Sequence, residues 1–222
     1  MKLFLNNLIF FIFVCWPLHS EEVKKNYIVK AGLIKIGELV WEIKVTNNNY
    51  SNKIQLRSKG LVSGLYNFKG DYFSEGINNK NEFFSKKYMH TWQTKKKIKK
   101  MELSFNKNKL VTLNQEPVEQ EKMRLNVYDI ENVNDPLTSF LKIIMGKKNT
   151  LVVDGRRVYN MEAQYIEKTK QTTVEVTNYS NLWTDHKRNK FEKIIFEKNN
   201  DEILPFKMNI YLNDRVFRIE EY

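Results

Sequence analysis

The sequence predicts a mainly β protein: a single antiparallel, strongly curved sheet, an open or incomplete barrel, with one amphipathic helix covering the concave face. Three observations lead there. Apolar and polar residues alternate with period two along most of the chain beyond the N-terminal segment. Short Asn-rich turns separate the alternating runs. Only one segment, Asp135–Gly146, carries a helical spacing instead.

The elements follow in order. Residues 1–20 place Lys2 ahead of the unbroken apolar run Leu8–Trp16, then Pro17 and the small Ser20. That is the layout of a cleavable secretory signal, and the run is short for a membrane span of about 20 residues. The expectation is a signal peptide at 1–20, export to the periplasm, and one β-rich domain at 21–222. A retained N-terminal anchor is the alternative. Cys15, the single cysteine, lies in this leader, so a processed chain has no thiol chemistry and suits an oxidising compartment.

Beyond the leader, Leu39, Trp41, Ile43 and Val45 alternate with polar or outward residues, and Asn47–Asn49 turn the chain toward a run at Ile54–Leu56. Met101, Leu103 and Phe105 repeat the pattern before a turn at Asn106–Asn108 and a run at Leu110–Leu113. Leu125 and Val127 read as a further short strand inside a polar connector, Val118–Asn134. Tyr159, Met161, Ala163 and Tyr165 share a face, as do Val174 and Val176. Phe206–Leu212 and Arg215–Glu221 form a hairpin about Asn213-Asp214, two residues that tolerate positive φ. One apolar and one polar face per strand means an antiparallel sheet with one solvated side, and a long meander must curl or gain a cover to hide the other.

The helix has both ends signalled. Asp135 caps the first amides, Pro136 takes the first helical position, Gly146 supplies a left-handed stop, and Lys147-Lys148 complement the C-terminal dipole. Leu137, Phe140, Leu141, Ile144 and Met145 form one apolar stripe. It reads as a core helix, or as a movable lid over a ligand cavity.

The formal net charge is +11, and 30 of the 37 basic residues are Lys. With 26 Asn, this composition is that of an AT-rich genome; the alternative is a surface suited to anionic lipid headgroups. Lys95–Lys100 reads as a solvated hairpin end. The sequence carries no groove-reading module, which excludes nucleic acid as a partner. Its 41% hydrophobic content excludes global disorder. Trp41, Trp92, Phe140, Ile144 and Tyr159 are candidates to line an apolar cavity, or are ordinary sheet core.

Four pieces then line up in order: Ala31-Gly32-Leu33-Ile34-Lys35-Ile36-Gly37-Glu38-Leu39, Gly60-Leu61-Val62-Ser63-Gly64-Leu65-Tyr66, Asp135-Pro136-Leu137-Thr138-Ser139-Phe140-Leu141 and Val153-Asp154-Gly155-Arg156-Arg157-Val158-Tyr159. Together they resemble the bacterial envelope family called domain of unknown function 3108. The resemblance implies a secreted or periplasmic β-rich protein with no established enzymatic role. Its architecture is similar to that of the periplasmic lipoprotein carriers of the outer-membrane sorting pathway. The motif candidates are Asp135, Pro136, Asp154, Gly155, Arg156 and Arg157. The last four read as a tight turn with an ion pair, or as an arginine placed to meet an acidic headgroup.

Catalytic parts are not identified. His90 and His186 lack a ligand-spaced partner, so neither a metal nor a cofactor is expected. No nucleophile elbow or phosphate loop is present. The sequence therefore points to a non-catalytic module that binds or carries a lipid or acyl chain. The alternatives are an envelope assembly protein acting through protein contacts, and a hydrolase.

Overall fold

The structure is a computed structural model that describes residues 20–60, 63–64, 67–183 and 191–222. The leader up to residue 19, and His186, lie outside the described residues.

The chain builds seven strands in succession: β1 (Ser20–Ala31), β2 (Ile34–Thr46), β3 (Asn49–Ser58), β4 (Phe68–Asn79), β5 (Glu82–Thr94), β6 (Ile98–Asn106) and β7 (Lys109–Glu116). A connector at 117–132 leads to β8 (Val133–Asn134) and the helix α1 (Pro136–Ile144). Six more strands follow: β9 (Asn149–Val153), β10 (Arg157–Ile166), β11 (Gln171–Asn181), β12 (Phe191–Glu197), β13 (Lys207–Leu212) and β14 (Arg215–Glu221).

All fourteen strands belong to one sheet, in the order β7-β6-β5-β4-β3-β2-β1-β14-β13-β12-β11-β10-β9-β8. The strands thus begin mid-sheet at β1, run outward to one edge, cross to the other edge and return to pair β14 with β1. Every pair of neighbours is antiparallel except β8 with β9, which flank the helix and run parallel. The two edges come close: the Val133 amide donates to the Asn108 carbonyl in the β6–β7 turn at 3.0 Å. The sheet is a nearly closed, strongly curved barrel.

Val23, Lys25, Tyr27 and Val29 of β1 point inward, and the hairpin registers carry the inward face around the barrel. Across β2 to β5 the inward residues stack in levels: Val45–Tyr50–Gly76–Ser85, then Ile43–Asn52–Ser74–Tyr88, Trp41–Ile54–Tyr72–His90, and Leu39–Leu56–Gly70–Trp92. The turn residues behave as their chemistry requires: Asn213 and Asp214 have φ of 50° and 60°. Lys95–Lys97 form the exposed β5–β6 turn.

The connector contains no strand at Leu125 and Val127. Val127–Asp129 is instead a single 3-10 turn capped by Asn126, whose side chain accepts from the Tyr128 amide. Val127 is fully buried against Leu103, Val153 and Val158, so the connector straps the gap between the two sheet edges with apolar contacts.

One end of the barrel is plugged. The segment 198–206, between β12 and β13, buries Leu204 completely and Ile203 nearly so. Tyr27 Oη donates to the Pro205 carbonyl at 2.7 Å. Lys25, an inward lysine with only 8% of its side chain exposed, bridges Glu202 at 2.6 Å and Glu221 at 2.7 Å. Burial draws its ammonium pKa down, but the two carboxylates outweigh that and the net shift is upward.

Candidate functional site

The helix divides the barrel interior. Asp135 is fully buried and caps α1: its Oδ1 accepts from the Leu137 amide at 2.9 Å and the Thr138 amide at 3.0 Å. Its Oδ2 accepts from Ser85 at 2.6 Å, from Ser74 at 2.9 Å and from Thr138 Oγ1. Tyr50 Oη is hydrogen-bonded to Thr138 Oγ1. Trp41 Nε1 donates to Asn52 Oδ1 at 2.8 Å, and Asn52 Nδ2 donates to the Leu137 carbonyl at 3.3 Å. Apart from Thr138 of the helix itself, these polar side chains come from three successive sheet levels that meet the helix N-terminus. Burial raises the Asp135 pKa, and the three hydroxyls and the Thr138 amide oppose that rise.

The middle of α1 is tied to the sheet as well. Thr150 of β9 donates to Ser139 at 3.1 Å, and Gly146 stops the helix at φ 97°. Thr138, Ser139, Leu141, Ile143 and Ile144 are all buried, while Met145 of the expected stripe is exposed. A helix enclosed by a sheet buries more than one stripe, so the apolar periodicity understates its burial. α1 is a fixed floor across the barrel, held by side chains of β3, β4, β5 and β9.

On one side of this floor, toward the plugged end, Tyr27, Ile203 and Leu204 are buried, and a hollow of about 500 Å³ opens beside the helix C-terminus. On the other side the barrel encloses a cavity of about 440 Å³. The floor is Pro136, Leu137 and Phe140, and the wall includes Trp41, Ile54, Ile194, Met208, Ile210 and Ile219. Leu56, Arg157, Phe191 and Leu212, near the ends of their strands, carry the lining toward the unplugged end of the barrel. Trp41 stacks on Phe140 at 5.8 Å between ring centres, and Phe140 meets Phe196 edge-on at 5.5 Å.

Of the residues singled out from sequence, the structure brings Trp41, Phe140, Tyr159, Pro136 and Arg157 to this cavity. Trp92 stacks on Phe68 at 5.2 Å and does not line it. Ile144 does not line the cavity; it lines the separate hollow at the helix C-terminus with Ala163 and Phe196. It shares a face with Phe140 but lies one turn further along α1, beside that hollow and not beside the cavity at Phe140.

The Asp154–Arg157 turn sits at the rim. Asp154 Oδ1 accepts from the Arg156 amide at 2.8 Å and the Arg157 amide at 2.7 Å, while Oδ2 lies 3.4 Å from Arg157 Nη1. Burial raises the Asp154 pKa, against the pull of the Arg157 charge. Gly155 has φ 87°, and a Cβ there would lie 2.3 Å from Met101 Sδ. Only glycine fits both the backbone and the space. The Arg157 guanidinium also lies over the Tyr179 ring at 5.6 Å. Arg156 faces His90 and Lys99: burial, Arg156 and Lys99 together pull the His90 pKa down to about 4. His90 Nδ1 bonds Tyr88 Oη at 3.1 Å.

Among the described residues no group of three or more His, Cys, Asp or Glu is arranged to hold a metal ion. Sequence reasoning missed Asn52, Ser74, Ser85 and Lys25, all of them polar side chains on inward strand positions.

The model of the family described as protein of unknown function (DUF3108) matches residues 26–204. The chain belongs to the DUF3108 family. In this DUF3108 protein the match spans the barrel from β1 to the plugging segment, the Asp135 cap and the Asp154 turn included. No curated protein matches it. Among solved structures it is similar to a β-barrel-like protein of domain of unknown function DUF1849 from Brucella abortus. The TM-score is 0.53 at 13% identity, covering 92% of this chain and 96% of that one. At that identity the likeness concerns the fold alone.

Proposed function

We propose that this DUF3108 protein is an exported, non-catalytic envelope module that binds or carries a lipid-like apolar ligand inside its barrel. The observation that carries the reading is the cavity above α1, whose volume of about 440 Å³ falls within the usual ligand-pocket range of about 300–1,000 Å³. Its floor is fixed by the Asp135 network, which ties the start of α1 to β4 and β5. The leader-like residues 1–20 support a periplasmic location, and the barrel with an internal helix supports the architectural likeness to lipoprotein carriers. The excess of lysine suits approach to an anionic membrane surface. No cofactor enters the proposal.

The test is organic extraction and native mass spectrometry of protein purified from the envelope fraction of its host. The reading expects a bound apolar molecule near one per chain, lost when Ile54→Trp and Ile210→Trp fill the cavity. A protein that is empty in every preparation, and that takes up no amphiphile, overturns it.

A second reading has a specific observation behind it. Among the described residues β7 is an edge strand at one end of the strand order, and Val111 on it is 53% exposed. A free edge accepts a partner strand, which would make the protein an assembly factor acting through protein contacts. A hydrolase is the weaker reading, because His90 bonds a tyrosine hydroxyl and not a serine or a carboxylate.

A further inference from the structure

The cavity is not uniformly apolar. Resting on the ligand-binding reading above, we infer that it selects a single-chain amphiphile with an anionic head, a carboxylate or a phosphate monoester, and that Arg157 receives the head.

Arg157 is the one charged side chain in the cavity lining among the described residues. It is 24% exposed, so its guanidinium is largely removed from water. Its protein partners use little of its capacity: Asp154 touches one nitrogen at 3.4 Å, a long contact, and Tyr179 offers only a ring face. A guanidinium carries five N–H donors in a planar fork that matches a carboxylate or phosphate edge. No Arg157 nitrogen is sealed from solvent without a partner, so the remaining donors are open to a ligand that completes the fork.

Three phenols share that wall. Tyr72, Tyr88 and Tyr159 all line the cavity. Among the described residues the Tyr72 and Tyr159 hydroxyls have no protein hydrogen-bond partner, although Tyr159 is 4% exposed. Burial pushes the Tyr72 pKa up to about 12, so its hydroxyl stays protonated and can donate. The wall further round the barrel, with Leu39, Met208, Ile210 and Ile219, offers only apolar side chains. The polar side also faces a positive rim: Lys99 is depressed by burial and by the charges of Arg156, Lys97 and Arg157. An anion there relieves that mutual repulsion. The two walls therefore fit a molecule with one charged end and one greasy chain.

The experiment displaces the neutral probe N-phenylnaphthylamine from the leaderless chain with dodecanoate, monododecyl phosphate or dodecanol at pH 8. The expected result is that at least one anion binds about ten- to a hundredfold tighter than the alcohol, the range of a charged hydrogen-bond pair. Arg157→Gln should erase the difference by weakening the anion alone, Arg157→Lys should restore part of it, and Tyr159→Phe should reduce it. Preference between the two anions tells a free fatty acid from a phosphorylated head. The comparison of anion with alcohol in the unmodified chain stands even where a variant fails to fold. Equal binding of all three ligands overturns the assignment of Arg157 and leaves the apolar binding reading intact. Failure of the probe and of every ligand to bind overturns the binding reading itself.

Discussion

Ser85 and Asp135 form a reciprocal pair across 50 residues of sequence: the Ser85 hydroxyl donates to Asp135 Oδ2 at 2.6 Å and accepts from the Asp135 amide at 3.0 Å. A strand in one half of the barrel thereby fixes the start of the helix in the other half. The same carboxylate takes bonds from Ser74, Thr138 and the first helical amides, so one side chain ties β4, β5 and α1 together.

This pairing predicts a graded loss of stability. Ser85→Ala removes one member and should cost about 1–2 kcal/mol, while Asp135→Ala strands several buried donors and should cost about 3–5 kcal/mol. The double variant should cost less than the sum, because the two residues share one network. Urea unfolding followed by tryptophan emission measures all three. Additive losses would show that the two side chains act independently.

Gly155 makes a separate prediction about the rim. A methyl group at this position meets Met101 and forces a non-glycine residue to φ 87°. Gly155→Ala should destabilise by about 1–3 kcal/mol. Met101→Ala in the same chain should relieve the steric part and leave the backbone part. The readout is the denaturation midpoint of each single variant and of the pair. An unchanged midpoint for Gly155→Ala would contradict the close packing described here.

His90 gives a pH dependence with a definite sign. Its folded pKa of about 4 lies below the ordinary 6.5, because burial and the charges of Arg156 and Lys99 disfavour the imidazolium. Between those values the unfolded chain binds more protons than the folded one. Stability from this group is therefore complete above about pH 6.5 and falls as pH drops toward 4. Asp135 and Asp154, with raised pKa, push the other way as pH falls. Comparing the chain with His90→Gln isolates the histidine. The unmodified protein should lose more stability than the variant between pH 7 and pH 5, and equal losses would contradict a buried neutral His90.

Much of the fold was legible because local signals agreed. Alternation placed Trp41 and Met208 inside, the Asn213-Asp214 turn closed its hairpin, and Asp135, Pro136 and Gly146 marked the helix ends. The candidate site was legible in part, and the reasons lie in particular residues. β5 carries a bulge: Glu75 pairs with Lys87 but Gly76 pairs with Ser85, leaving Lys86 without a partner across the ladder. Phe83, Ser85, Tyr88 and His90 therefore share the inward face, although simple alternation puts Phe83 and Tyr88 on opposite sides. Ser74, Ser85 and Asn52 look like solvent-facing residues until the helix that needs their polar groups is in place. Lys25 reads as surface until Glu202 and Glu221, nearly two hundred residues away, close over it. Such pairings depend on which strands meet, and β1 with β14 is the longest of them in sequence.

The central claim, that the space above α1 receives an apolar chain, is tested most directly at Trp41, which is 1% exposed to solvent yet lines the cavity. In a chain of residues 21–222 with Trp92→Phe and Trp183→Phe, Trp41 is the remaining indole. Titration with a chain-brominated fatty acid should quench its emission saturably, with an end point near one ligand per chain. Trp41 emission that stays unchanged while the acid remains below its micelle concentration would contradict the account.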